Sequence, residues 1–456
     1  MLPDTGRIRV PHTILRRGVR VVPTARPWQS PLRQRMPTSA PAKAVLLLCD
    51  EPRTTLSIAR PLAKLGHRVV VARSESAIRI PSRAIGEHLA LPGPLSSPAA
   101  ADALVAFLER TPVDLVIPCT DSALTLVARN ESRLRRLTQV AASRAEVLHR
   151  VLDKSTTMRI AAELGIPCPK TCAIPNRDAL RAVRTSLVFP LVAKPRDKTA
   201  TARFKVRYYA DFDAIDQEFA DDPEFGADHL IQEFSTGDGV LLGMLVARGE
   251  IVALCQQRRA REWPWSGGVS TTAVTEPPDA VLLEYARRLL TALDWDGVVA
   301  VEFRHDPRTS TSVLLEVNGR FWAFNQLAVH AGVNMPDLLM RSLAGQRIHP
   351  VRVSRPGVRM IWSTGEMKRA YTVWRNTTTA LRPPSLWEAL SAPARDLLRG
   401  PTHAVWAFDD PLPALIEFTH ELRAIAVDEV RALLRPFIPR RLLRARREAR
   451  ARRMIL

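Results

Sequence analysis

The side chains best placed for chemistry lie between Val298 and Trp322, where the chain reads VVAVEFRHDPRTSTSVLLEVNGRFW. VVAVEF and SVLLEVNGRF alternate apolar with other residues and DPRTST is a polar turn, so two strands are predicted. Successive strand side chains switch face, which puts Glu316, Asn318 and Arg320 on one side. Antiparallel pairing through the turn brings Glu302 opposite them. Two carboxylates and an amide oxygen, with an arginine at the rim, form a hard-oxygen set suited to Mg²⁺ carrying a polyphosphate. A solvated strand face explains charge at every second residue equally well, so the rest of the chain has to decide.

Four other places could contribute. Lys194 is the single charge in SLVFPLVAKPRD, an apolar strand, where it is costly unless it meets an anion such as phosphate; an edge-strand lysine snorkelling to water is the other reading. Gly267 and Gly268, between Ser266 and Ser270, could turn backbone N–H groups toward a phosphate, although paired glycines also serve plain turns. Thr120 and Asp121 end the strand VDLVIPC, on the side where open α/β sheets bind ligands, and either could instead cap a helix. Arg258 and Arg259 end another strand, where at least one should point inward.

The elements that must position these groups follow in order. Residues 1–40 are rich in proline and arginine, without a sustained period, and are expected to be a disordered basic extension; Met36 offers an alternative start. From Ala44, AVLLLCDEPRTTLSIARPLAKLGHRVVVARS reads as strand, helix, strand, a βαβ unit that implies a parallel sheet. Its turn, CDEPR, lacks the G-x-G-x-x-G fingerprint, so no dinucleotide is expected there. Lys154 opens a helix with Met158, Ile160, Ala161 and Leu164 at helical spacing. HLIQEF is a strand, and GVLLGMLVA and EIVALCQQRR form a hairpin about RGE. A helix over 282–293 precedes the central stretch, and LAVHAGVNMPDLLMRSLAGQ is a helical cap after it. Residues 350–456 read as a helical region without a chemical motif, ending in the basic tail RRLLRARREARARRMIL from Arg440.

With 456 residues, 46% hydrophobic and 25% charged, the chain has the composition of a globular protein of two or three domains. It has no apolar run long enough to span a bilayer and no secretory leader pattern, so a cytoplasmic location is expected. The five scattered cysteines are expected to be reduced thiols, with neither disulfides nor a zinc site. Much of the net charge of +20 sits at the two ends. With aromatics at 6%, no specific nucleic-acid partner is expected. The tail is either solvated or an amphipathic contact to an anionic membrane surface.

Lys154, LVAKP around Lys194, IQEF, VEF and LLEVNGRFW occur in an order that resembles the ATP-grasp superfamily, near its carbamoyl-phosphate synthase and carboxylate-amine ligase branch. The resemblance covers about residues 42–350. It implies an α/β and α+β fold: a Rossmann-like pre-ATP-grasp domain at 41–145, a two-lobed ATP-grasp domain at 146–349, and the helical appendage beyond. It further implies that Lys154 and Lys194 meet the nucleotide phosphates, that Gln232, Glu233 and Phe234 form the hinge at the adenine, and that Asp238 lies near the ribose. Glu302, Glu316 and Asn318 would hold Mg²⁺, or Mn²⁺ in its place, and Arg258 and Arg320 would serve the substrate. Two features depart from the family pattern. The loop after Lys194, PRDKTATARFKV, has no glycine to allow close backbone approach to phosphates. The ribose acid is one place out of register, with Gly239 at the expected position.

The reaction so implied is an ATP- and Mg²⁺-dependent, ADP-forming union of a small-molecule carboxylate with an amine through an acyl phosphate, in a monomer or homodimer. The alternative is an ATP-binding regulatory or membrane-surface module with little or no turnover.

Overall fold

The computed structural model describes residues 42–172, 174–196, 206–351, 355–375, 381 and 383–434. The expectations for residues 1–40, for the loop 197–205 and for the tail from Arg440 therefore lie outside the described residues.

The first sheet is parallel. Its strands are β1 (Ala44–Leu48), β2 (Arg68–Ser74), β3 (Glu87–Leu91), β4 (Leu115–Pro118) and β5 (Gln139–Val140), in the order β3-β2-β1-β4-β5. AVLLL and LVIP are buried throughout, or nearly so, because helices cover both faces. Helix Pro52–Lys64 starts where Glu51 caps it, its carboxylate accepting from the Thr54 N–H at 2.6 Å, and Gly66 follows its end at φ 86°. The strand order reverses between β1 and β4, so the residues after both strands, Asp50–Glu51 and Thr120–Asp121, lie at the crevice of the doubly wound sheet.

A small antiparallel sheet follows: β6 (Thr171–Cys172), β7 (Leu191–Pro195), β8 (Arg207–Tyr209) and β9 (His229–Glu233), ordered β6-β9-β7-β8. It has a core of its own, with Leu180, Leu191, Ala193, Ile215, Phe219, Phe225 and Ile231 among its buried members. This is the first lobe.

The second lobe is built on long strands: β10 (Asp238–Ala247), β11 (Glu250–Trp263), β12 (Val269–Glu276), β13 (Gly297–Asp306) and β14 (Thr311–Asn318). Arg248 and Gly249 both have positive φ, 56° and 79°, as a tight hairpin between right-twisted strands requires. One face carries Leu241, Leu245, Ala253, Cys255 and Ala300 against Leu327, Ala328, Met335 and Leu338 of the helices after β14. The other carries Leu242, Met244, Leu254, Val299 and Val301, in a core shared with Leu282, Ala286 and Leu289 of helix Ala280–Ala292. Gly243 is glycine because the Trp322 indole lies where a Cβ would go, 2.1 Å from Cη2.

The C-terminal region is mainly helical: Ser363–Arg375, Leu386–Leu397 and Leu412–Leu434. It also contributes β15 (Arg359–Ile361) and β16 (Thr402–His403), which extend the large sheet to the order β14-β13-β10-β11-β12-β15-β16. The expected break at 349/350 is thus crossed by a continuous sheet. Among the described residues, no helix is long and apolar enough to cross a membrane, and all five cysteines are free.

Candidate active site

The β13–β14 ladder places Glu302 directly opposite Glu316, and Ala300 opposite Asn318. All three polar residues share the face that carries Leu241 and Ala300. Two carboxylates facing each other across a ladder repel, so cations must compensate. Four of them do. Arg259, from β11, forms an ion pair with Glu302 through Nη2, and its Nη1 donates to Glu262 at 3.2 Å and to the Gly268 carbonyl at 2.8 Å. Lys154, at the first turn of helix Lys154–Glu163, brings Nζ to 3.7 Å from Glu316. Lys194, on β7, lies within range of the charge of the same carboxylates: burial lowers its pKa to about 8, the Glu316 charge opposes this, Lys154 and Arg304 push further down, and Glu302 pushes up. Arg320 is held by Asp121 through two bonds of 3.0 Å and also reaches Asn318 Oδ1 at 3.4 Å. Asn318 Nδ2 in turn donates to Glu302 at 3.1 Å.

Burial alone would lower the guanidinium pKa of Arg320 and of Arg259. The Asp121 charge and hydrogen bonds in one case, and the Glu302 and Glu262 charges in the other, raise both above the usual arginine range. These arginines are fixed charges at every working pH.

Of the residues singled out in the sequence, Lys154, Lys194, Glu302, Glu316, Asn318 and Arg320 come together. Arg258 and Asp238 do not join them. Arg258 lies on the opposite face of the sheet, bonded through Nε to Glu276 at 2.5 Å and through Nη1 to Asp238 at 3.5 Å. The reason is a β-bulge. Beside the turn Ala247 pairs with Glu250 and Val246 with Ile251, but Leu245 pairs with Ala253. That single extra residue moves everything beyond it to the other face, so Arg259 rather than Arg258 meets Glu302.

The glycine pair also differs from its reading as an N–H cradle. The Gly267 N–H closes a turn to Pro264 at 3.1 Å, and its carbonyl accepts from the Tyr208 hydroxyl at 3.3 Å. Thr120 caps helix Asp121–Arg129 by accepting from Ala123 N at 3.1 Å, which releases Asp121 to hold Arg320.

Gln232, Glu233 and Phe234 lie at the end of β9. Gln232 is buried and donates to Thr171 Oγ1 at 3.0 Å, Glu233 pairs with Lys170 at 2.9 Å, and Phe234 N–H donates to the Pro190 carbonyl at 3.0 Å. The Phe234 ring stands edge-on to Tyr208, with centroids 5.8 Å apart. Arg304 completes the surroundings, bridging Glu262 at 2.9 Å and the Gly237 carbonyl at 3.2 Å. Sequence reasoning did not single out Tyr208, Glu262 or Arg304. Arg304 was accessible to it, two places from Glu302 on the same strand face. Among the described residues, no three His, Cys, Asp or Glu side chains gather as a metal cluster; the set here is two carboxylates and an amide.

A family model described as "ATP-grasp in the biosynthetic pathway with Ter operon" matches residues 227–366. Among solved structures, biotin carboxylase from Campylobacter jejuni in a β,γ-ATP complex is 13% identical, covers 70% of this chain and 74% of its own, and superposes with a TM-score of 0.54. An L-amino acid ligase from Bacillus licheniformis is 16% identical, with coverage of 68% and 78% and a TM-score of 0.54. N5-carboxyaminoimidazole synthetase from Staphylococcus aureus, complexed with ADP, is 13% identical, with coverage of 70% and 81% and a TM-score of 0.55. At these identities the likeness is one of fold. No curated protein matches the chain by sequence.

Proposed function

We propose that the chain is a member of the ATP-grasp superfamily and an ADP-forming ligase that joins a carboxylate to an amine. The observation that carries this reading is the placement of Lys154, 3.7 Å from Glu316, at the facing carboxylates Glu302 and Glu316, with Lys194 of a separate element within range of their charge. A surplus of buried positive charge around a hard-oxygen set is what a polyphosphate with its divalent ion needs. The similar structures, an L-amino acid ligase and complexes with ADP or β,γ-ATP, support the same direction.

The donor set fits Mg²⁺: Glu302, Glu316 and the Asn318 amide oxygen are hard ligands, and their facing placement calls for a cation between them. Bound there, the ion supplies charge neutralisation at the phosphate oxygens. Lys154 and Lys194 neutralise the phosphates, and Gln232, Glu233 and Phe234 receive the adenine. A carboxylate resists nucleophiles because it is anionic and oxide is a poor leaving group. One carboxylate oxygen takes the γ-phosphoryl group, the bond to the β-phosphate oxygen breaks, and ADP departs. The amine then attacks the acyl carbon, the C–N bond forms, phosphate leaves with the C–O electron pair, and the nitrogen loses a proton. Arg320, fixed by Asp121 beside Asn318, orients the acid and its phosphate, and Arg259 takes the inward role that Arg258 does not fill. Exclusion of water from the closed lobes protects the acyl phosphate.

The test is Mg²⁺-dependent ADP release by the full chain with pools of carboxylic acids and amines, beside a Glu302→Gln, Glu316→Gln double variant. ADP that forms only with both an acid and an amine, and disappears in the double variant, supports the ligase. ATP that raises the melting temperature without ADP release in any pool selects the nucleotide-binding module instead.

A further inference from the structure

Both oxygens of the Glu302 carboxylate are engaged. Oε1 accepts from Asn318 Nδ2 at 3.1 Å, and Oε2 is paired with Arg259 Nη2. The two arginines of the site differ in what holds them. Arg320 is bound by Asp121, a carboxylate outside the donor set, through two bonds of 3.0 Å. Arg259 instead rests on one of the donors themselves. Lys154 stays 3.7 Å from Glu316, beyond hydrogen-bond reach, and neutralises that acid without covering a lone pair.

The Arg259 guanidinium is anchored on its far side. Nη1 donates to the Gly268 carbonyl at 2.8 Å and to Glu262 at 3.2 Å, so it stays in place whether or not Nη2 keeps Glu302. Glu262 is itself fixed by Arg304 at 2.9 Å. Room for the arm comes from Gly239 on β10, where a Cβ would stand 2.6 Å from Arg259 Cδ. The side chains of Arg259 and Glu302 are only 12% and 15% exposed. At that burial an Nη2 without an acceptor is costly, so a guanidinium that leaves Glu302 must take another anion. The anion this site is proposed to receive is the acid or its phosphate, and the planar guanidinium fork suits both.

We propose that Arg259 is an exchangeable counter-ion. It neutralises Glu302 until a divalent cation takes that carboxylate, and its Nη2 then turns about the anchors at Gly268 and Glu262 to bind the carboxylate or phosphate of the anionic substrate. Cation and acid therefore bind in order, because the first creates the site of the second. This rests on the proposed ligation in taking Glu302 as a metal ligand, and ADP release does not enter its test. A chain that shows the exchange and forms no ADP loses the ligase reading and keeps this one.

The experiment has two arms on the full chain. Mn²⁺ is titrated with the free ion followed by electron paramagnetic resonance, and the affinity for sulfate, a soluble stand-in for phosphate, is measured by calorimetry with and without saturating Mn²⁺. Arg259→Met no longer has a charged hydrogen bond to break, so it should bind Mn²⁺ about tenfold tighter than the parent. Removal of any nearby positive charge would do part of this, and the linkage between the two ligands separates the cases. In the parent, Mn²⁺ should raise sulfate affinity; in Arg259→Met that gain should be about tenfold smaller, because no guanidinium is released. Arg259→Gln keeps a donor for the Gly268 carbonyl without the charge, should behave alike, and serves if the methionine variant fails to fold. No Mn²⁺ binding, Mn²⁺ affinity that is equal or weaker in the variants, or a sulfate gain equal in parent and variants overturns the proposal.

Discussion

Asp121→Asn keeps the shape of a side chain from the first domain and removes the charge that holds Arg320, 199 residues later in the chain. The pair has two bonds of 3.0 Å, and the two side chains are 20% and 21% exposed. Breaking a fully buried pair costs about 3–5 kcal/mol, and an exposed pair is worth less than about 1 kcal/mol. At a fifth exposed, the loss should be about 2 kcal/mol, most of it the cost of leaving the Arg320 charge half-buried without its carboxylate. Arg320→Met should cost a similar amount, and the double variant should fall short of the sum by about 1–2 kcal/mol, because the second substitution removes the stranded charge. Urea denaturation followed by tryptophan fluorescence measures all three. If the reaction is the ligation proposed above, Asp121→Asn should also lower kcat about tenfold while leaving KM for ATP nearly unchanged, since Arg320 would be loosened and the lysines would not. Additive stabilities within about 0.5 kcal/mol would refute the coupling.

Three further outcomes follow from separate features. Gly243→Ala should cost about 1–3 kcal/mol, because the added methyl meets the Trp322 ring and that ring is tethered through Nε1 to Gln257 at 3.1 Å; an unchanged urea midpoint would contradict the packing. Burial pushes the Cys168 thiol up to about 11, so only about one molecule in a thousand carries the thiolate at pH 8. Its alkylation by iodoacetamide, followed by peptide mass spectrometry, should be far slower than that of a free cysteine and should rise steeply as pH approaches 11. Burial raises the Glu417 carboxyl above its ordinary value, with the Thr364 and Trp362 hydrogen bonds opposing it. The folded state therefore binds this proton more tightly than the unfolded chain, and the group favours folding as pH falls through its raised pKa. Glu417→Gln should be at least as stable as the parent at pH 7 and lose that advantage in mild acid; a parent that leads by more at pH 7 than in acid would reverse the sign.

The parts of this molecule that could be read from its sequence are those fixed by neighbours a few residues away. The run AVLLL followed by a helix and RVVVARS specifies a parallel βαβ unit because both strands are buried on two faces. VVAVEF and SVLLEVN can be read as two strands about a short turn, but the register set at that turn, Asp306 with Thr311 through Phe303 with Leu314, would place Leu315 opposite Glu302. Glu316 takes that place because the ladder shifts by one residue between Phe303 and Glu302. Arg259 could not be chosen over Arg258 in that way. The turn at Arg248–Gly249 sets one parity for β11, the bulge at Leu245–Val246 reverses it, and no residue type in VLLGMLVARGEIVAL announces the bulge. Asp121 was hidden for a different reason: Thr and Asp after a strand both serve as helix caps, and only the assembled fold shows that Thr120 does the capping while Asp121 reaches Arg320. The C-terminal helices invert the rule by which helices are read, since acids at 417, 421 and 429 face the protein while leucine and phenylalanine face outward. Periodicity locates the two sides of such a helix and is silent about which one is buried. Local pattern thus set the strands, whereas the register shift that brings Glu316 opposite Glu302 and the choice of Arg259 as the side chain that meets Glu302 are settled only in the assembled sheet.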